Sequence, residues 1–139
     1  GMCVVDLDTV MPGCALHDFG DLVRTAACAS VEDEVDLDKV RFLPETYGSI
    51  VEGYMESAGD MLDSREVGHL ALAPLVITYE LGLRFLTDYL EGDVYFKVKR
   101  PGHNLDRVRA QFKLLVSMEE SLEEMEDIVL RFSATKSLA

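Results

Sequence analysis

Apolar residues recur at helical spacing along most of the chain. Phe19, Leu22, Val23, Ala26 and Ala27 mark one amphipathic face, and with Asp18 as N-cap the spacing predicts a helix to about Ala29. Pro44 suits the first turn of a second helix, whose stripe is Tyr47, Ile50, Val51, Tyr54, Met55 and Ala58, with Gly59 at its end. Asp63 or Ser64 caps a third, and Glu66 stands three residues after Asp63 as in a capping box. From Val67 to Leu86 the pattern is apolar almost all round, which predicts a central helix, kinked or restarted at Pro74.

Glu91-Gly92-Asp93 closes that helix and Val94 to Val98 read as briefly extended. Pro101-Gly102 is a turn, Asn104 is placed as the next N-cap, and Leu105, Val108, Phe112, Leu115 and Val116 are the expected buried face, with Arg107 and Arg109 pointing elsewhere. Leu122, Met125, Ile128, Val129 and Phe132 keep the period, either in the same helix or in another after a bend near Met118 to Ser121. At the other end, Cys3 to Val5 read as a short strand, with Val10 and Met11 extended after a turn. The expected fold is therefore mainly α with a short N-terminal β element, residues 2–139 forming one helical domain.

Charge narrows the partners. Thirteen basic against twenty-six acidic side chains give a formal charge of -13, which repels phosphate backbones and argues against nucleic acid. Many of the acids fall in Ser30 to Asp38, a run that reads as a solvated connector. No apolar stretch reaches the roughly 18 residues of a membrane span. Cys3, Cys14 and Cys28 follow no zinc or CxxC spacing, which suits a reduced, cytoplasmic setting.

Five features are candidates for chemistry. Asp6 and Asp8 leave a β-branched run and enter Pro12-Gly13; carboxylates there either bond to nearby backbone amides or hold a hard cation such as Mg²⁺. Asp18-Phe19-Gly20 spells the metal-binding tripeptide of protein kinases, but it opens a helix and Asp18 is better read as its cap. Glu80 and Arg84 lie four apart on an otherwise apolar helix, as a partly buried ion pair or as a guanidinium aimed at a ligand. Tyr95 and Phe96 are core aromatics or a pocket wall. His17, His69 and His103 are isolated in sequence, and His69, on an apolar helix, reads as a core histidine.

The run Val4-Val5-Asp6-Leu7-Asp8-Thr9-Val10-Met11-Pro12-Gly13, followed by Leu16-His17-Asp18-Phe19-Gly20-Asp21-Leu22-Val23-Arg24, resembles the aminoglycoside phosphotransferase superfamily, and within it the N-acetylhexosamine 1-kinases. Some relatives of these sugar kinases carry the label mucin desulfatase. The likeness continues in Glu80 to Phe96 and in His103 to Gln111, and spans about Val4 to Glu120. It implies part of a protein-kinase-like C-lobe. Asp6 would be the Mg²⁺-binding aspartate, with Asp8 assisting the metal or binding the turn. Arg84 and Tyr95 would line the hexosamine pocket, and Asp18 would be a structural aspartate. Complete members use ATP with Mg²⁺, and ahead of this segment they carry a nucleotide lobe and a catalytic loop with the base aspartate.

No H-x-D-x-x-x-x-N loop occurs in this sequence. The expectation is therefore a substrate-side, C-terminal fragment of a sugar kinase that has no catalytic base, binds neither ATP nor Mg²⁺ by itself and is inactive alone. Its partners would be an N-acetylhexosamine and either the missing N-terminal half or a second copy of the chain. The alternative is a stand-alone helical module working by self-association or protein binding, through the apolar Val67 to Leu90 stretch and the terminal Met/Leu/Ile helix.

Overall fold

The first helix is longer toward the N-terminus than its expected cap allows. In the computed structural model, which describes residues 10–136, α1 runs Ala15–Ala26 behind Cys14, which makes no side-chain cap. Asp18 is thus not the N-cap; it sits exposed in the first turn, where a carboxylate faces the positive end of the helix dipole. The apolar period begins one turn before Phe19, at Leu16, which packs against the core beside buried Phe19, Val23 and Ala27. α1 also stops short of Ala29. Its exit is drawn into antiparallel pairing: Ala29 N–H donates to the Arg41 carbonyl (3.0 Å) and Leu43 N–H to that of Ala27 (2.9 Å), around an isolated bridge between Cys28 and Phe42.

α2 (Pro44–Ala58) starts at its proline, buries Tyr47, Val51 and Met55, and ends at Gly59 as expected. Asp63 caps α3 (Ser64–His69) in a full capping box: its carboxylate accepts the Glu66 N–H at 2.8 Å and Glu66 accepts the Asp63 N–H at 2.8 Å. Pro74 restarts the chain as α4 (Ala73–Glu91), in its first turn, where the missing N–H costs nothing. α5 (His103–Glu120) and α6 (Leu122–Lys136) are separate helices, broken at Ser121.

α4 lies between α1 and α5, while α2 packs on α6. Two glycines set the first pair of contacts. A Cβ on Gly20 would stand 2.8 Å from the Ala73 carbonyl oxygen, and one on Gly82 would stand 2.9 Å from the Phe112 ring. The aromatic core gathers at α1 and α2, with Phe19 4.9 Å from Tyr54 and Phe42 5.7 Å from Tyr47 between ring centroids.

Three expectations are corrected. α4 is central only in part: Pro74, Leu75, Thr78, Gly82 and Phe85 are buried, but Leu72, Val76, Tyr79, Leu83 and Leu90 face solvent. In α5 the buried set is Val108, Ala110, Gln111, Leu114 and Met118 with His103 and Asn104, whereas Val116 is exposed, because the helix is covered on more than one side. Val94 to Val98 bend at Tyr95 and Phe96 rather than running as an extended segment, and the described residues contain no strand; Cys3 to Val5 lie outside them. No described helix is long and apolar enough to cross a membrane.

The α1–α4 contact makes a direct prediction. Gly20→Ala drives a methyl into backbone and is expected to cost about 1–3 kcal/mol. Gly53→Ala, in mid-α2 with nothing within 4 Å of the added methyl, is expected to stabilise by about 0.5–1 kcal/mol. Urea unfolding of both variants measures the contrast, and equal effects would show that α1 does not rest on Ala73.

Candidate functional site

Glu80, Arg84, Thr87 and Glu91 repeat every three or four residues, so one side of α4 presents them together. The loop after α4 brings Tyr95 and Phe96 back across that side. The reversal is built locally: Gly92 takes a left-handed φ of 96°, Asp93 follows at 60°, and the Asp93 N–H returns to the Asp88 carbonyl at 2.8 Å. The result is a shallow cleft of about 440 Å³ lined by Arg84, Glu80, Thr87, Glu91, Tyr95 and Phe96, with Leu83 and Asp88.

The two residues expected to bind substrate therefore meet. The Arg84 guanidinium carbon lies 5.9 Å from the Tyr95 ring centroid and 5.6 Å from that of Phe96, within cation–π range. Its pairing with Glu80 is loose at 3.8 Å, and both side chains are about half exposed, so the pair is not the partly buried one considered from sequence. Tyr95 is 73% exposed; Phe96 is tucked against Phe85 at 4.7 Å.

What holds the loop is a residue the sequence reading passed over. Asp88, 2% exposed, accepts the backbone N–H groups of Tyr95 (2.7 Å) and Phe96 (3.0 Å) and the side-chain amide of Asn104 (2.7 Å). Burial by itself would push the Asp88 carboxyl up; the N–H groups of Phe96, Tyr95 and Val94, with Asn104, outweigh it and hold the carboxyl below its ordinary value. Asn104 is not the cap of α5, which starts one residue earlier behind Gly102 at φ 74°. Fully buried, it also donates to Asp93 (2.9 Å) and accepts from Arg107 (2.9 Å). Arg107 does not point away: its guanidinium lies 5.1 Å from the Phe85 ring. The signals available in the sequence were an acid inside an apolar helix and an amide just after a Pro-Gly turn.

The acidic connector is docked rather than simply solvated. Glu32 lies 3.4 Å from Arg24 of α1 and 3.5 Å from Arg107 of α5. Asp33 meets His103 Nε2 at 2.9 Å. Because the Lys99 N–H donates to His103 Nδ1 at 3.1 Å, that nitrogen is the acceptor and Nε2 carries the hydrogen given to Asp33. The hydrogen bond from His103 is the main cause holding the Asp33 carboxyl below its ordinary value, against burial, with a smaller contribution from Arg100.

The other candidates do not converge on chemistry. His69 is exposed on α3, its ring nitrogen 2.6 Å from the Arg65 carbonyl, and is not a core residue. His17 and His69 are not isolated in space; with Cys14 they edge an apolar groove floored by Ala73 and Ile77. Asp6 and Asp8 lie outside the described residues. Among those described, no group of three or more His, Cys, Asp or Glu side chains is placed to hold a metal ion. No family model matches the sequence.

Acid should weaken the fold through Asp33 and Asp88. Both carboxyls sit below the ordinary 3.8 when folded, so their stabilisation is complete above about pH 4 and is lost as pH falls through the lower folded values. Urea midpoints taken down an acid series should fall less steeply for Asp33→Asn than for the parent chain. Parallel slopes would show that the Asp33–His103 contact is energetically idle.

Proposed function

We propose that the chain is the sugar-side part of an N-acetylhexosamine-type phosphotransferase, and that the cleft between α4 and the Tyr95–Phe96 loop receives the sugar. The observation that carries this reading is the meeting of Arg84 and Tyr95, eleven positions apart in sequence, at 5.9 Å in one cleft. The chemistry suits a carbohydrate. Aromatic faces pack against the apolar C–H surface of a pyranose, while Arg84, Glu80, Thr87 and Glu91 supply donors and acceptors for hydroxyl and acetamido groups.

In this reading Asp6, assisted by Asp8, belongs to the Mg²⁺ site. When bound, Mg²⁺ and ATP supply the phosphoryl group and the charge compensation for its transfer. The residues of the cleft bind and orient the acceptor sugar. No base aspartate is assigned in this chain, so it is expected to give no sugar 1-phosphate with ATP and Mg²⁺.

Titration of the chain with N-acetylglucosamine or N-acetylgalactosamine, followed by amide shifts, tests the reading. Shifts should localise to residues 80–96, and Arg84→Ala or Tyr95→Ala should weaken binding about tenfold, the equivalent of about 1.4 kcal/mol. Absence of shifts in the cleft with either sugar would overturn it.

A second reading is favoured by a different observation. Leu72, Val76, Tyr79, Leu83, Leu86 and Leu90 follow one another at alternating steps of four and three, the spacing of a coiled-coil seam, and all but half-buried Leu86 are exposed. A seam of this kind suits self-association. Sedimentation should then show a concentration-dependent dimer that Val76→Glu or Leu83→Glu dissociates; a parent chain that stays monomeric at high concentration would rule it out.

A further inference from the structure

We propose that Asp88 is the positioning residue of the cleft: with Asn104 and Arg107 it fixes the Tyr95–Phe96 loop opposite Arg84, so that the aromatic wall is already formed when a ligand arrives. The consequence for sugar binding rests on the reading of the cleft given above. The placement of the loop rests only on geometry.

The far end of the loop is tied to α5, where the Lys99 N–H donates to His103 Nδ1 at 3.1 Å and Arg100 pairs with Asp106 at 3.2 Å, but these contacts lie three and four residues beyond Phe96. Residues 94–100 form no helix or strand, Val94 and Tyr95 are exposed, and the ring contacts of Phe96 are with Phe85 and Tyr95. Against this, one carboxylate takes two consecutive backbone N–H groups, at 2.7 and 3.0 Å. That fork sets the position of the peptide and therefore the directions in which Tyr95 and Phe96 leave it. Such bonds to an ionised acceptor are among the stronger ones available inside a protein.

The carboxylate is itself fixed. Asn104, wholly buried, gives its side-chain amide hydrogens to Asp88 and Asp93 while its carbonyl oxygen takes a hydrogen from Arg107, so the amide has one orientation that satisfies all three contacts. Arg107 is held in turn by the Phe85 face at 5.1 Å and by Glu32 at 3.5 Å. Arg84, by contrast, has among the described residues the loose contact to Glu80 and the aromatic faces of Tyr95 and Phe96. If the loop moved, Arg84 would lose its stacking partners and the cleft its wall. Asp88 touches no ligand in this arrangement; it acts through the backbone of the residues that would.

The test combines amide hydrogen exchange with titration by N-acetylglucosamine in the parent chain, Asp88→Asn and Asn104→Ala. The Tyr95 and Phe96 amides should be protected in the parent. Their exchange should accelerate by about tenfold or more in Asp88→Asn while amides in mid-α4 and mid-α5 keep their protection, the mark of a local release. Asn104→Ala leaves the fork but frees the carboxylate, so a smaller acceleration is expected; it serves as the variant should Asp88→Asn not fold. Sugar affinity should fall in the same order as loop protection is lost. Unprotected Tyr95 and Phe96 amides in the parent, or full protection in a folded Asp88→Asn, would overturn the proposal. So would sugar affinity equal to the parent's in a variant whose loop is released, and that result would leave the cleft reading standing. A parent chain with a protected, Asp88-dependent loop but no sugar binding would support the positioning role and reject the cleft as a sugar site.

Discussion

A buried carboxylate has to be surrounded by donors, and one end of this protein is arranged around that requirement. Asp88 stands on the inner side of α4, where an ionised group costs free energy unless hydrogen bonds replace the water it has lost. The donors come from three places: the returning loop, Asn104 at the start of α5, and, through Asn104, Arg107 one turn further on. The left-handed pair Gly92–Asp93 makes the reversal short enough for the loop to reach back, and the buried start of α5 brings the amide to the same point.

The same logic governs the connector between α1 and α2. A chain with formal charge -13 gains by placing acids beside its few cations. Glu32 joins Arg24 of α1 to Arg107 of α5, and Asp33 joins His103 and, at 3.9 Å, Arg100. The His103 contact is a hydrogen bond, and each of the arginine pairs is partly exposed and individually weak. Their value is geometric: they close the connector over the first turns of α5, beside the residues that carry Asn104. The cleft is therefore braced from behind by contacts far from it in sequence.

Much of the helical framework was legible because it depends on local physics. Proline at the start of α2 and α4, the Asp63–Glu66 box and Gly92 after α4 act within a turn of where they stand, while the break at Ser121 was one of two readings the period allowed. The misread positions are those decided at a distance. Asp18 and Asn104 have good capping side chains, yet packing of Leu16 and burial of Asn104 start each helix earlier. Glu32 and Asp33 look like solvent-facing acids until residues about seventy positions on are brought beside them. The cleft was half legible. Arg84 and Tyr95 were named from their resemblance to a sugar-kinase pattern, whereas Asp88, which accepts the Tyr95 and Phe96 N–H groups, shows in sequence only as an acid inside an apolar helix.

The reading of α4 as a helix covered on all sides shows why composition alone misjudges such an element. Its 19 residues carry three faces. One, from Pro74 through Thr78, Gly82 and Phe85 to Asp88, is buried against α1 and α5. A second is the exposed stripe from Leu72 to Leu90. The third, Glu80, Arg84, Thr87 and Glu91, lies one position on from the stripe, a rotation of about 100°. Two apolar faces out of three leave few polar positions in the linear sequence, so the helix looks buried throughout while a third of its girth is polar and borders the cleft. The stripe and the cleft also share a border, at Tyr79–Glu80 and Leu83–Arg84. A partner seated on the stripe would wall the open side of the cleft, reducing the exposure of Arg84 and strengthening its electrostatic contacts as water is excluded. Leu83 belongs to both, standing in the stripe and lining the cleft, so α4 is the element through which a partner on one face would be felt at the other.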